Sequence, residues 1–397
     1  MREIFALQNP WRKTKNYNFS LRKRDVLSEL IKNLDSKKIL GIIGSRQVGK
    51  SSLIYLLIQH LLEKNISSEN IFYFNLDNFA LRELFARANS LLDFINPGDQ
   101  KKFIFIDEIQ RLQNPGIFLK EIYDLGLNIK IIYSGSSQLE IKSKLKEHLV
   151  GRVRQLEIQR LSFADTLAFL SPITKEDALE KSLVFGSYPE VVLSEKQEEK
   201  KLNLRDIYQS YIQKDLVEFL HLEDTSSFNK LLILLSHQIS SLLNLENICR
   251  ALKIKRKVLE KYISILEDTF IIKLVYPFHK NYKKEITKTP KIYFLDLGLR
   301  NLVIKNFNPL FARDDQGKLF ENFFFLELIN KDPYSLNSIS YWRTTNQTEV
   351  DFIVRSENKT KAYEVKWSRS SLPKSFITLK KYYPEIETKL VSRKNFY

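Results

Sequence analysis

Residues 44–51 read Gly44-Ser45-Arg46-Gln47-Val48-Gly49-Lys50-Ser51, a glycine-bracketed loop that ends in a lysine and a hydroxyl. The residues before it, Ile39 to Ile43, are apolar throughout, as a buried strand requires, and a helical pattern begins near Lys50. Strand, glycine loop and helix in that order make a phosphate loop. Gly44 and Gly49 let the backbone turn so that its N–H groups face an anion, Lys50 adds a point charge for β and γ phosphates, and the Ser51 hydroxyl can ligate Mg²⁺. The stretch predicts a nucleoside triphosphate site built from Gly44, Ser45, Arg46, Gln47, Val48, Gly49, Lys50, Ser51 and Ser52.

A second motif supports the first. Phe103-Ile104-Phe105-Ile106 is the continuous apolar run of a central parallel strand, and it ends in Asp107-Glu108. Asp107 at the strand tip would hold the magnesium through its water shell, and Glu108 would polarise the water that attacks the γ-phosphate. The 57 residues from Lys50 to Asp107 leave room for one more strand, Ile71 to Leu76, with a helix on either side. An inserted strand and a glutamate mark the hydrolysing branch of phosphate-loop folds; the plainer reading makes the two acids a helix cap. A fourth strand, Ile129 to Tyr133, runs into Ser134-Gly135-Ser136-Ser137. Carboxyl ends of parallel strands face the ligand crevice, so one of these hydroxyls, with Ser137 as the candidate, would sense the γ-phosphate unless the cluster is only a turn. Arg152 precedes the next strand and would stabilise transition-state charge in its own molecule or across a subunit boundary; an exposed, solvated arginine is the competing account.

The phosphate loop, Asp107-Glu108-Ile109-Gln110, Ser134-Gly135-Ser136-Ser137, Gly151-Arg152, Leu161-Ser162-Phe163 and Gly186-Ser187-Tyr188-Pro189-Glu190 together resemble an AAA+-superfamily-like ATPase family of archaea and bacteria. The resemblance covers nearly the whole chain after about residue 20. It implies an α/β phosphate-loop ATPase that uses ATP and Mg²⁺, followed by a carboxyl-terminal domain of uncharacterised function. This chain departs from the family at Ser45, where proline is frequent, and at Ser187, where a second glycine is frequent; neither touches a catalytic atom.

Composition sets wider limits. At 397 residues the chain is too long for one ordinary core and suggests two or three domains. The most apolar helical candidate, Leu231 to Leu245, is interrupted by His237 and Gln238, and Met1 to Phe19 lacks an apolar signal core, so a cytoplasmic location without membrane contact is expected. A single cysteine, Cys249, excludes an internal disulfide and a cysteine zinc cage, and the five histidines show no metal-ligand spacing. An excess of 63 Lys and Arg over 47 Asp and Glu, a net charge of +16, points to a polyanionic partner, DNA first, although the lysine excess of a sequence rich in Ile, Asn and Tyr is partly compositional habit.

The segment from Thr225 to Lys291 gives that charge a place. Helical periodicity through Phe228 to Leu243 is followed by Leu245 to Leu252 and by a second helix, Lys255 to Glu267, with Val258, Leu259, Ile263 and Leu266 on one face. Lys255, Arg256, Lys257 and Lys261 fall on the other, as on a recognition helix. Strands from Phe270 to Tyr276 and Lys291 to Leu295 would form a wing whose loop carries Lys280, Lys283, Lys284 and Lys288. Winged helices also dock proteins, so a protein partner is the alternative.

Near the end, Glu349 to Val354 and Lys361 to Lys366 read as a hairpin. Alternation sets Glu364 and Lys366 on one face, and pairing brings Asp351 opposite them, with Val350, Phe352, Tyr363 and Val365 on the buried face. An acid on one strand and Glu-x-Lys on its neighbour resembles the PD-(D/E)XK nuclease core. That resemblance implies Mg²⁺ on Asp351, Glu364 and the Val365 carbonyl, with Lys366 on the water and Glu321, from a helix Leu319 to Leu328, completing the shell. A salt-bridged hairpin is the structural alternative.

The expected organisation is therefore a tail (1–20), an ATPase core (21–165), a helical extension (166–224), a winged-helix-like part (225–295) and a nuclease-like α/β end (296–397). The expected function is a Mg²⁺-dependent ATPase, as a monomer or a homo-oligomer, coupled to DNA engagement. An ATP-regulated DNA nuclease and a slow nucleotide-dependent docking switch are the alternatives.

Overall fold

The computed structural model describes residues 1–14, 17–136, 149–210, 225–278, 289–368 and 371–396. The chain divides into two compact units, Met1–Gln159 and Arg160–Tyr397.

The first unit is a mixed α/β fold with a five-stranded parallel sheet and a glycine loop after its first strand. Strands β1 (Ile39–Ile43), β2 (Ile71–Asn75), β3 (Lys102–Asp107), β4 (Ile129–Gly135) and β5 (Val153–Glu157) form one parallel sheet in the order β2-β3-β4-β1-β5. Leu40, Ile42, Phe74, Ile104, Phe105, Ile106 and Ile132 are fully buried, because helices cover both faces of a parallel sheet and its inner strands are apolar on both sides. The register aligns Ile43 with Gly135 and Asn75 with Asp107, so β1, β3 and β4 end along one edge.

The amino-terminal residues correct one expectation. The stretch 1–20 was expected as a tail, yet helix α1 (Arg2–Gln8) buries Phe5 in the core of this unit. The edge strand β2 explains why. The Asn9 amide donates to the Tyr73 carbonyl (2.9 Å) and accepts from the Tyr73 N–H (2.8 Å). Gln8 accepts from Asn75 N–H (2.8 Å), and Arg12 donates to the Ile71 carbonyl (3.0 Å). Three side chains thus cover the strand edge that would otherwise template pairing with another chain.

In the second unit, α3 (Lys175–Phe185) precedes α4 (Thr225–His237), strand β6 (Ser241–Leu242), α5 (Leu245–Leu252), α6 (Arg256–Asp268) and strands β7 (Ile272–Val275) and β8 (Lys291–Phe294). The small sheet is antiparallel, in the order β6-β8-β7. Helix periodicity had been expected to continue to Leu243. It stops at His237 because Ser240 takes a positive φ of 53° and its N–H bonds the Ile292 carbonyl (2.8 Å), which starts β6. Next come α7 (Leu297–Val303), α8 (Gln316–Asn330) and a sheet of β9 (Ser338–Arg343), β10 (Glu349–Arg355), β11 (Thr360–Lys366) and β12 (Glu387–Ser392), with α9 (Lys374–Tyr382) before the last strand. Its order is β12-β11-β10-β9, with β12 parallel to β11.

Segments 166–224, 225–295 and 296–397 share this one unit. The Tyr341 N–H bonds the Tyr276 carbonyl (3.1 Å), which links the two sheets. The buried Asp296 carboxylate accepts from Ser187 N–H (2.9 Å) and Leu299 N–H (2.8 Å), which ties the end of α3 to the start of α7. Gly186 makes that approach possible. Its φ is +75°, and a Cβ there would lie 2.4 and 2.5 Å from the two Asp296 oxygens and 2.6 Å from the Gly298 nitrogen. The Gly186-Ser187 element of the sequence pattern is therefore a packing device. Gly186→Ala should destabilise this unit by about 2–4 kcal/mol, read as a lower urea midpoint, from left-handed backbone strain and overpacking together. Gly98→Ala, where an added Cβ meets nothing within 4 Å, should leave the midpoint nearly unchanged.

Candidate functional site

Parallel pairing places the loop after β1 beside the tips of β3 and β4. Helix α2 (Lys50–Glu63) starts directly from Gly49, which takes a positive φ of 91°. Gly44 is fixed by crowding: a Cβ there would lie 2.3 Å from the Ile158 carbonyl oxygen. The Lys50 ammonium, 5% exposed, donates to the carbonyls of Gly44 (3.1 Å) and Ser45 (2.8 Å) within the loop.

Asp107 is the centre of the arrangement. One carboxylate oxygen accepts from the Ser51 hydroxyl (2.7 Å) and from the Tyr73 hydroxyl (2.9 Å), and the other accepts from the Ser134 hydroxyl. Burial and the Asp107 charge push the Tyr73 phenol far above its ordinary value, so it stays a donor. Ser134 also accepts from the Glu108 N–H (3.2 Å). Glu108 sits in the left-handed region at φ 59°, a strained conformation for a residue with a side chain. Its carboxylate accepts from the Gln110 amide and from the Ser136 hydroxyl (3.3 Å), and Gln110 reaches Ser136 as well (2.9 Å).

These residues fit a triphosphate with Mg²⁺. Ser51 and Asp107 offer a hydroxyl and a carboxylate in mutual contact, the hard oxygen donors that Mg²⁺ takes. Within the loop, the buried Ser45 hydroxyl has no hydrogen-bond partner among the described residues, as a group meant for an anion would. Arg46, Gln47, Val48 and Ser52 lie in the loop and the first turn of α2, with Gln47 at φ 60°.

Two expectations stand differently. Arg152 immediately precedes β5, at the edge of the sheet opposite the loop and about 16 Å away along a five-residue strand. It forms a two-pronged pair with Asp124 (2.7 and 3.1 Å), so within its own chain it does not face the phosphate site. Ser137 lies outside the described residues; of the same serine cluster, Ser134 reaches Asp107 and Ser136 reaches Glu108. Three further side chains serve this site: Arg24, whose guanidinium holds the Val48 carbonyl (2.8 Å) and the Gln159 carbonyl (3.0 Å), Tyr73, and Gln110, which the sequence pattern contains without a stated role. Tyr73 carried a signal: it is the one hydroxyl in the apolar run Ile71-Phe72-Tyr73-Phe74.

In the second unit the acids expected at the nuclease-like core do meet, around ammonium groups of the same unit. The Lys291 ammonium, from β8 and 3% exposed, lies 3.1 Å from Glu321, 2.5 Å from Glu349 and 3.7 Å from one oxygen of Asp351. The other Asp351 oxygen accepts from Val365 N–H (2.8 Å) and lies 3.6 Å from Lys366. Lys366 pairs with Glu364 (3.0 Å), whose second oxygen accepts from Ser375 (3.1 Å). Tyr293 donates to Glu321 (2.7 Å). Burial pushes Glu321 up to about 7 against the pull of Lys291. For Lys291 itself burial works against the charge, and Glu321, Asp351 and Glu349 more than offset it, so its ammonium is held above the ordinary range.

The hairpin face had also been expected to alternate strictly. A register shift between Val350 and Ile353 breaks the alternation: Val350 packs with Ile353, Ala362, Phe376 and Leu379, whereas Phe352 packs on Tyr293 and Phe325. Both faces of the sheet are therefore covered. The described residues include no group of three acidic, histidine or cysteine side chains arranged for a metal ion, and Glu321, Asp351 and Glu364 do not fit the Mg²⁺ shell that the resemblance implies. Lys291, Tyr293 and Glu349 escaped the sequence reading.

Lys255, Arg256, Lys257 and Lys261, at the start of α6, are exposed, and Arg256 pairs with Glu260 (2.8 Å). Lys283 and Lys284, like Lys280 and Lys288, lie outside the described residues.

Comparison with known proteins finds three matching stretches in this chain. Residues 36–167 match the family profile described as an AAA domain, residues 176–310 match a domain of unknown function (DUF8612), and residues 316–395 match another (DUF4143). The uncharacterized protein MJ1544 of Methanocaldococcus jannaschii is 28% identical over 352 residues, 85% of this chain and 75% of its own. An uncharacterized protein of Haemophilus influenzae is 25% identical over 351 residues, 85% of each chain. Among solved structures, the extended S. cerevisiae Hsp104:casein complex aligns with a TM-score of 0.34 at 14% identity, over 67% of this chain and 53% of that one, so this chain spans about half of its length. The AAA domain match supports ATP binding and ATPase activity in the first unit, and no helix among the described residues is long and apolar enough to cross a membrane.

Proposed function

We propose that the chain is a Mg²⁺-dependent ATPase whose catalytic centre is Lys50, Ser51, Asp107 and Glu108. The observation that carries this reading is the contact of Ser51 with Asp107 beside a glutamate held by two donors. Backbone N–H groups of residues 44–52 and the Lys50 ammonium bind and orient the phosphates. Mg²⁺, when bound by Ser51 and Asp107, neutralises phosphate charge. Glu108 orients the attacking water and accepts its proton, and Ser134 and Tyr73 keep the Asp107 carboxylate aimed. Arg24 stiffens the loop from behind through the Val48 carbonyl. In a homo-oligomer, Arg152 would be free to act on a neighbouring site only after giving up Asp124.

Glu108→Gln should keep ATP affinity and lower turnover by about 10²-fold or more, whereas Lys50→Ala should lose both, measured by equilibrium binding and phosphate release. Equal turnover in Glu108→Gln and the parent protein would remove Glu108 from this role.

A second reading concerns the partner. The order of α4, β6, α5, α6, β7 and β8 is compatible with a winged helix, and Lys255, Arg256, Lys257 and Lys261 stand exposed in the first half of α6 and at its cap, in a chain of net charge +16. We infer that this face engages DNA through its phosphates, with ATP binding or hydrolysis coupled to that engagement. Replacing Lys255 and Lys257 by Gln should weaken duplex binding evenly across sequences and reduce the slope of log affinity against log salt by roughly 2. Association insensitive to salt would indicate a protein partner instead.

A further inference from the structure

The nuclease-like cluster brings its own cation. Lys291 reaches Glu321, Asp351 and Glu349 from a strand that precedes the nuclease-like hairpin by some 60 residues, and it is almost completely buried. Its place is fixed on every side. Lys291 pairs in the sheet with Leu242 and Val275, its ammonium lies 5.7 Å from the Tyr341 ring centre, and the Tyr341 hydroxyl donates to the Thr289 carbonyl (2.5 Å). The remaining Asp351 oxygen is held by the Val365 N–H and Lys366, and Glu364 is shared by Lys366 and Ser375. Acid and ammonium thus alternate along one chain: Glu321, Lys291, Asp351, Lys366, Glu364.

We infer that Lys291 is the resident counter-ion of this cluster, pairing with Glu321 and Asp351, two of the carboxylates that the nuclease resemblance would give to a divalent cation, and that the cluster is an ionic clasp joining β8, α8 and β10. A divalent cation there would have to share the Glu321 and Asp351 carboxylates with a buried ammonium a hydrogen-bond length away, and like charges at that distance repel strongly in a low-dielectric site. The clasp explains why the small sheet and the carboxyl-terminal sheet form one unit. It also assigns this unit to binding without metal-dependent cleavage, independently of the ATPase reading.

The test uses the full chain, free of nucleotide, in an Asp107→Asn background that silences the phosphate-loop metal site. Mn²⁺ binding is followed by the loss of the free-ion paramagnetic resonance signal. With Lys291 present, the background protein and its Asp351→Asn derivative should bind Mn²⁺ equally poorly. Lys291→Met should create one site of at least tenfold higher affinity, which Asp351→Asn then removes, and Mn²⁺ should raise the melting temperature of Lys291→Met. Should Lys291→Met not fold, the comparison of the two Lys291-containing proteins still decides the matter. A Mn²⁺ site in the background protein that Asp351→Asn abolishes would overturn the inference. So would metal-dependent cutting of plasmid DNA with Lys291 in place, lost on Asp351→Asn.

Discussion

The first unit depends on one short hydrogen bond, from the Ser51 hydroxyl to the Asp107 carboxylate (2.7 Å), between two residues 56 positions apart. It exists only because β4 lies between β1 and β3 and all three run parallel, which brings a glycine loop and an acid to the same edge of the sheet. Everything chemical nearby elaborates that contact. Tyr73 and Ser134 occupy two more of the Asp107 lone pairs, Gln110 and Ser136 fix Glu108, and Arg24 supports the loop. An acid so thoroughly hydrogen-bonded is held in one orientation before any ligand arrives, which is the condition for a site that stabilises developing charge without first reorganising.

The second unit solves a different problem with similar materials. Its acids are also buried and precisely paired, but with internal ammonium groups. A buried ion pair contributes little net stability on average, because desolvation offsets the attraction, yet removing one partner leaves a costly unpaired charge. The clasp therefore acts mainly to specify the arrangement, fixing β8 against α8 and β10 rather than adding much to the free energy of folding. The Gly186–Asp296 junction does the same for α3 and α7 by excluding any side chain larger than hydrogen.

How much of this was legible varied with the range of the interaction. The phosphate loop, the strands and the Asp107-Glu108 pair follow from local pattern and appear where expected, as do α5, α6 and the β10–β11 hairpin. What escaped was set by partners distant in sequence. Asn9 and Gln8 look like tail residues until the open edge of β2 is known. Lys291 looks like one basic residue among many, and nothing local announces that it will lie among three carboxylates. Arg152 sits beside a glycine in a suggestive motif, but only the strand direction reveals that it occupies the far edge of the sheet. The bulge in β10 is likewise invisible to a period-2 pattern, because it depends on pairing with β9.

The central claim is that this edge of the sheet recognises phosphate. Competition of ATP, ADP, AMP and adenosine for a single site on the unmodified protein, with Mg²⁺ present, tests it most directly. Affinity should fall by roughly tenfold or more once the β and γ phosphates are absent, since they supply most of the charge that the loop and Lys50 engage. AMP or adenosine binding as tightly as ATP would contradict the account.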